Sequence, residues 1–424
     1  MAHVLFGSIN QMGLGALRSA VARGHSVSMI TTPDLASFFR DDPENPILDK
    51  VNVETIDDYT DTDALTEAVQ RIHQRYPIDA GIPIFSASAW PLTEACARLG
   101  IRSTSAKATH LAGAKFACRQ RLAERGICDL PCMLAESAAD ALDFASRYGF
   151  PIVLKPNRGL GSIAAKVVST PEEIEEYYRD YNNLLSSLTG GLRQEFSADG
   201  RIIAEAFLDG TLCSAEVAVA SDGFKLLALS RRKRSGTTDI NELGSTMPGV
   251  TDPDSVAHIH DYVASVIDAL GFDRGIFHVE LILDADEKPS LLEVNPRLMG
   301  GTLPLLYKSL TGADVYDILI DTFLDKPMGP PPAMTASVAS RVLGARERAT
   351  ARADLDDNWQ AAFAADTVFC DIPLQKGQTV ERLDHNLCSF GMFAVSAATP
   401  EEADAKADRL LKQMEKVIGI PLCH

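Results

Sequence analysis

No stretch of the 424-residue chain approaches the ~20 continuous apolar residues that span a bilayer. Its first fifteen residues, MAHVLFGSINQMGLG, lack a basic segment followed by a long apolar one. They read as a strand running into a glycine turn, and not as a secretory leader. The eight cysteines (96, 118, 128, 132, 213, 370, 388 and 423) form no CxxC pair, and no histidines cluster near Cys128 and Cys132. This argues against a thiolate metal site and leaves reduced cysteines as small core residues, compatible with the cytoplasm. Positive charge is scarce: 40 Lys+Arg stand against 58 Asp+Glu, a formal charge of −18. Nucleic acid is not an expected partner, since its phosphates would meet net repulsion. The spelling GxxxxGK[ST] is absent, so there is no P-loop. A dinucleotide fingerprint is incomplete, because Gly13-Leu14-Gly15 is followed by Arg18 where the third glycine belongs. No internal repeat is apparent.

What is present is a soluble-enzyme composition, 46% apolar and 23% charged, enough for two to four packed modules of ~100–200 residues each. Strand and helix patterns alternate from the start, over residues 3–6, 16–23 and 26–30, then 80–85, 90–99 and 101–104. That βαβ order implies a doubly wound parallel α/β domain over residues 1–110. Helices are expected at 115–125 and 138–148, each closed by a glycine. A hairpin follows, with a strand ending on Lys155, the loop Asn157-Arg-Gly-Leu-Gly-Ser162 and a return at 163–168. These make a small lobe over 111–204. Strands within 202–230 and 276–294 belong to a larger lobe, 205–424. After the stiff Pro327-Met-Gly-Pro-Pro-Pro332 connector, a C-terminal subdomain (333–424) has strands near 333–343 and 367–372 and a long helix at 400–418.

The most informative stretch is GIFHVELIL (275–283) with its partner SLLEVNPR (290–297). Period two places His278 and Glu280 on one face, and Glu293 and Asn295 on one face of the partner, opposite Leu292 and Val294. A turn centred near Asp286-Glu287 sets Glu280 directly across from Glu293. Opposed carboxylates ~5 Å apart repel, so a cation, a proton or solvent must compensate. All-oxygen ligation by Glu280, Glu293 and Asn295 favours Mg²⁺ or Mn²⁺ shared with phosphates. Arg297 adds a guanidinium suited to phosphate or carboxylate. Lys155 closes an apolar strand, and Gly159 and Gly161 let backbone amides approach an anion. The run Arg231-Arg-Lys-Arg234-Ser-Gly236 is a candidate lid beside this loop. Between the lobes, Glu205-Ala-Phe-Leu208 is a connection able to offer backbone groups to a purine edge.

Taken in order, Lys115, Lys155 with its glycine loop, Glu205–Leu208, Glu280 and Glu293-Val-Asn-Pro-Arg297 resemble the ATP-grasp superfamily. The resemblance implies ATP held between two α+β lobes behind an N-terminal α/β domain. Lys115, Lys155, Gly161 and Ser162 would meet the phosphates, and Glu205, Ala206, Phe207 and Leu208 the adenine. Glu280, Glu293 and Asn295 would hold Mg²⁺. Two features resemble the amino-acid ligase branch: the Phe-His-x-Glu strand carrying His278, and the loop Arg297-Leu-Met-Gly300-Gly301. Glu242-Leu-Gly-Ser-Thr-Met-Pro248 is similar to that branch's Glu-x-Gly-His-x-x-Pro segment, with Ser245 in place of the histidine. The implied activity joins a small carboxylic acid, such as an amino acid, to an amine through an acyl phosphate, with His278, Glu242, Arg297, Gly300 and Gly301 at the substrates. Loading a carrier thiol, or activating bicarbonate or formate, are the alternatives. Leu212 and Cys213 stand where relatives place a ribose-binding Glu, and Glu216 is a candidate substitute. A homodimer is compatible with this reading; a membrane partner is not expected.

Overall fold

The computed structural model describes residues 1–9, 13–33, 46–159, 163–188, 196, 199–234, 241–384 and 388–424. At the N-terminus, β1 (His3–Phe6), β2 (Ser26–Thr31), β3 (Asn52–Thr55) and β4 (Ala80–Ile82) form a parallel sheet in the order β3-β2-β1-β4. β1 is buried along its whole length, as a central parallel strand must be when both sheet faces are covered. The strand order reverses between β1 and β4, which makes the domain doubly wound, as expected. The helix after β4 begins at Ser86, four residues earlier than the sequence suggests, and runs through Pro91 to Leu99. The expected strand at 101–104 reduces to one bridge between Ala80 and Arg102.

The glycines after β1 serve packing. A Cβ on Gly15 would stand 2.3 Å from the Tyr316 ring. The helix Leu14–Ala22 thereby lies close against the helix Val315–Phe323, and Ser19 and Arg23 bond Asp317 and Asp321 across that contact. Residues of this face share one core with Leu298, Leu303 and Leu306, so the N-terminal domain rests on the element that carries Arg297. Gly15→Ala is expected to lose about 1–3 kcal/mol of stability by overpacking, measurable by urea denaturation.

The small lobe is an antiparallel sheet, β5 (Cys132–Ala135), β6 (Ile152–Pro156), β7 (Lys166–Val168) and β8 (Ile202–Ala206), in the order β5-β8-β6-β7. Two helices cover it: Ala138–Tyr148, opened by a Ser137/Asp140 capping box, and Pro171–Ser187, capped by Thr170. β8 pairs within this sheet as far as Ala206. The lobe boundary therefore falls after residue 206 and not at 204/205, and 202–206 are not part of the larger lobe.

The large sheet contains β9 (Thr211–Ala220), β10 (Gly223–Arg234), β11 (Glu242–Met247), β12 (Gly275–Leu283), β13 (Pro289–Asn295), β14 (Ser337–Val342), β16 (Phe369–Asp371) and β18 (Met392–Ala397). Their order is β13-β12-β9-β10-β11-β14-β18-β16. A two-stranded ribbon, β15 (Ala349–Thr350) with β17 (Thr379–Val380), lies apart from it. Over 231–234 the candidate lid run is strand and not loop. It is the end of β10, with Arg231 to Lys233 paired to Thr246, Ser245 and Gly244 of β11; Ser235 and Gly236 lie outside the described residues. The long C-terminal helix, Pro400–Ile418, is held by the fully buried Arg341, which bonds Asp404 at 2.7 Å and Asp408 at 2.8 Å. No described helix is long and apolar enough to cross a membrane.

Candidate active site

The β12–β13 hairpin places the opposed carboxylates as the sequence implies: His278 pairs with Asn295, Val279 with Val294 and Glu280 with Glu293. Beyond that point the register slips, and Leu281 faces Leu291. The extra residue is Leu292, so Leu292 and Glu293 both line the cleft and not opposite faces. Protein cations offset part of the repulsion. Lys115 Nζ is 3.5 Å from Glu293 Oε1, and His278 Nε2 is 3.3 Å from Glu280 Oε1. Burial alone would raise the Glu280 carboxyl, but His278, Arg232 and Arg297 together hold it down at about 2.

The two lysines are brought together by Asn157. Its carbonyl accepts from Lys115 N at 3.1 Å and its side chain from Phe116 N at 2.8 Å, fixing the start of the helix Lys115–Glu124 against the end of β6. Lys155 Nζ lies 2.6 Å from Glu205 Oε2, and Arg119 Nε donates to Glu205 Oε1 at 2.8 Å. Arg119 also donates to the carbonyl of the bulged Leu292 at 2.9 Å. Both oxygens of Glu205 thus hold a cation, and Glu205 lines the cleft beside Ala206, Phe207 and Leu208. Burial would raise the Glu205 carboxyl from 4.5, yet Arg119 and Lys155 bring it to about 2. The folded value lies below the unfolded one, so this contribution is complete above pH 4.5 and is lost as pH falls from 4.5 towards 2. Urea titrations across that window are expected to show an acid-labile component that is absent in Glu205→Gln.

His278 is buried between Glu216, whose Oε1 is 2.8 Å from Nδ1, and Arg232, whose Nη2 is 3.3 Å from Nε2. Glu216 is fully buried on this histidine and does not replace a ribose-binding residue in the cleft. Arg232 donates to Ser245 Oγ at 2.8 Å and lies 3.1 Å from Glu242 Oε2. The small Ser245 leaves this space to the guanidinium. Arg297 leaves β13 with Nε on Ser86 Oγ at 2.7 Å and Nη1 on Leu298 O at 2.9 Å. Gly301, just beyond, has φ +57, a left-handed conformation that favours glycine.

Lys115, Lys155, Glu205, Glu242, Glu280, Leu292 and Glu293 line one open cleft, whereas His278, Asn295, Arg297, Gly300 and Gly301 are not among its lining residues. Val153, Ile163, Val167, Phe207, Leu208, Leu212 and Ile282 give it apolar walls, with Ala206 beside them. Lys115, Lys155, Arg234, Glu242, Glu280 and Glu293 supply its charge. Gly159 lines the cleft, but Gly161 and Ser162 lie outside the described residues. Among the described residues no three His, Cys, Asp or Glu converge as a complete metal site. Two opposed carboxylates with an amide suit a hard divalent cation that takes its other oxygens from a phosphate chain. Asn295 Nδ2, at 3.5 Å, now faces Glu280 Oε1, and a half-turn of the amide would present its oxygen instead. Burial pushes the Cys118 and Cys132 thiols, near Glu205, up to about 11.

Sequence reading missed Arg119, Asn157, Arg232 and Ser86. Arg119 had a signal: it follows Lys115 by one helical turn, between the apolar Cys118 and Leu122. The other three lie in a loop (Asn157), in a strand (Arg232) and at the start of a helix (Ser86), where a polar residue carries no signal until the chain is folded.

Comparison with known proteins accords with this geometry. Residues 148–304 match the ATP-grasp domain family. The alanine–anticapsin ligase of Bacillus subtilis (strain 168) is 23% identical over 322 residues, 72% of this chain and 66% of that protein. Its counterpart from Bacillus amyloliquefaciens is 22% identical over 61% of this chain and 56% of its own length. The chain thus spans just under two thirds of the first relative and little over half of the second. The crystal structure of an L-amino acid ligase from Bacillus licheniformis superposes with a TM-score of 0.82 at 18% identity, over 99% of this chain and 98% of the other.

Proposed function

We propose that this protein, which matches the ATP-grasp domain over residues 148–304 and shares its fold over nearly the whole chain with an L-amino acid ligase, is an ATP-dependent carboxylate–amine ligase. Its acid substrate is an amino acid or a similar small carboxylic acid, and its products are an amide, ADP and phosphate. One observation carries the reading: Lys115, Lys155, Glu280 and Glu293 line one cleft with apolar walls, and Arg297 stands two residues past Asn295. The alanine–anticapsin and L-amino acid ligases support an amino-acid-sized acid and an amine acceptor. We place the protein in the cytoplasm, where ATP is available and free thiols persist.

In this reading the chain works by positioning and charge neutralisation, with no covalent protein nucleophile. Lys115 and Lys155 hold the phosphate chain, Lys155 braced by Glu205. The backbone of Ala206–Leu208 meets the adenine, and the apolar walls around it exclude water. Glu280, Glu293 and the Asn295 amide would hold Mg²⁺, which neutralises charge on the phosphates when bound. Arg297 fixes the acid's carboxylate and then the acyl phosphate, with Gly300 and Gly301 letting backbone amides approach. His278 and Glu242 border the acceptor side. The amine attacks the acyl carbon, and phosphate leaves.

An acid labelled with ¹⁸O in its carboxylate tests the intermediate. One label is expected in the released phosphate; unlabelled phosphate would rule out carboxylate activation. For Lys155→Ala we expect the ATP dissociation constant to rise ~10–100-fold by calorimetry, the loss of one charge-assisted contact. An unchanged constant would count against its phosphate role.

A further inference from the structure

Arg297 belongs to the large lobe, but a serine of the N-terminal domain fixes its plane. Ser86 opens the helix Ser86–Leu99 directly after β4, at the carboxyl ends of the parallel strands where their order reverses. In open α/β sheets that edge is where ligands bind. Ser86 Oγ accepts from Arg297 Nε at 2.7 Å and lies 3.5 Å from Asn295 Oδ1. Arg297 Nη1 donates to Leu298 O at 2.9 Å.

These bonds decide which edge of the guanidinium remains for a ligand. With Nε taken, the side-on Nε/Nη2 fork is closed, and with one Nη1 proton on Leu298 O, Nη2 and the second Nη1 proton are left. A serine is well suited to this task, since its oxygen accepts from Nε while its proton turns towards Asn295 or an incoming oxygen anion. The same hydroxyl thus touches two residues of the Asn295-Pro-Arg297 segment. It lies 211 positions from Arg297 in the sequence, outside the matched ATP-grasp segment 148–304.

We propose that Ser86 is a positioning residue for Arg297, by which the N-terminal domain orients the guanidinium towards the acid substrate. This rests on the ligase reading above. Ser86→Ala frees the Nε edge and lets the guanidinium rotate, so the acid's carboxylate meets a mobile cation. The KM for the acid is expected to rise ~10-fold, as one charge-assisted hydrogen bond is lost. The ATP dissociation constant should stay within about twofold, because Ser86 is remote from Lys115 and Lys155 in the chain and bonds neither. Ser86→Thr, which keeps the hydroxyl, should recover most of the loss.

The contact has its own readout, independent of turnover. In ¹⁵N-labelled protein, the Arg297 Nε–H resonance, assigned by its absence in Arg297→Lys, should shift and exchange faster with water in Ser86→Ala but not in Ser86→Thr. An unmoved resonance, or an acid KM equal to that of the unmodified protein, would overturn the proposal. So would a loss of ATP affinity in parallel with the rise in acid KM, which would mark a merely structural residue. If the unmodified protein condenses no pair, the ligase reading fails on its own experiment, and the Arg297 resonance still decides the positioning claim.

Discussion

Replacing Glu205 with alanine is expected to lower folding stability by about 3–5 kcal/mol, the largest such effect of any site residue. The carboxylate is the shared partner of two cations that have almost no access to water: the side chains of Arg119 and Lys155 are 4% and 8% exposed. Removing it leaves two buried like charges, each bonded until then at 2.8 and 2.6 Å. Arg119 keeps its bond to Leu292 O, but Lys155 has no other described partner on the small-lobe side of the cleft. Lys155 is therefore expected to turn outwards, and ATP affinity should fall with stability. Glu205→Gln, which keeps an acceptor oxygen for one cation, should fall between alanine and the native residue. Urea denaturation at pH 7 checks the order. Equal stability of all three proteins would mean that solvent reaches the cluster.

Glu293→Gln is expected to act oppositely, leaving the fold nearly intact while lowering turnover ~10²–10³-fold. Glu293 is 27% exposed and its one described ion pair, to Lys115, is long at 3.5 Å. Its loss relieves the repulsion with Glu280, so the thermal midpoint should hold or rise slightly. What disappears is one of the two carboxylates that would hold the divalent cation, and with it the charge neutralisation that the cation would supply to the phosphates. Turnover within a fewfold of the native protein at saturating Mg²⁺ would remove Glu293 from the site.

The two variants separate what the sequence could reveal from what it could not. The Glu280–Glu293 pairing was legible because period two and a short turn nearly determine it. The slip at Leu292 was not, because that extra residue is stabilised by Arg119, which approaches from a helix 173 positions away. The two ion pairs of Glu205 were not legible for the same reason. A Glu ending an apolar strand looks like the start of a hinge until Lys155 and Arg119 are seen to converge on it. The run Arg231-Arg-Lys-Arg234-Ser-Gly236 read as a candidate lid because its charge was read without the strand partners of Arg231 to Lys233. Arg232 instead fills the room left by Ser245, so the departure from the Glu-x-Gly-His-x-x-Pro pattern has a local physical counterpart. Gly13 and Gly15 offered a false dinucleotide signal, since close helix packing and phosphate binding both ask for glycine.

The central claim is that the cleft couples ATP cleavage to condensation of an acid with an amine. The most direct test is ADP release with Mg²⁺ across amino acids supplied singly and in pairs, with product masses read from the same wells. The account predicts release that requires a pair, and a product equal in mass to the two substrates less one water. ADP release that no pair stimulates, with no condensed mass in any well, would contradict it.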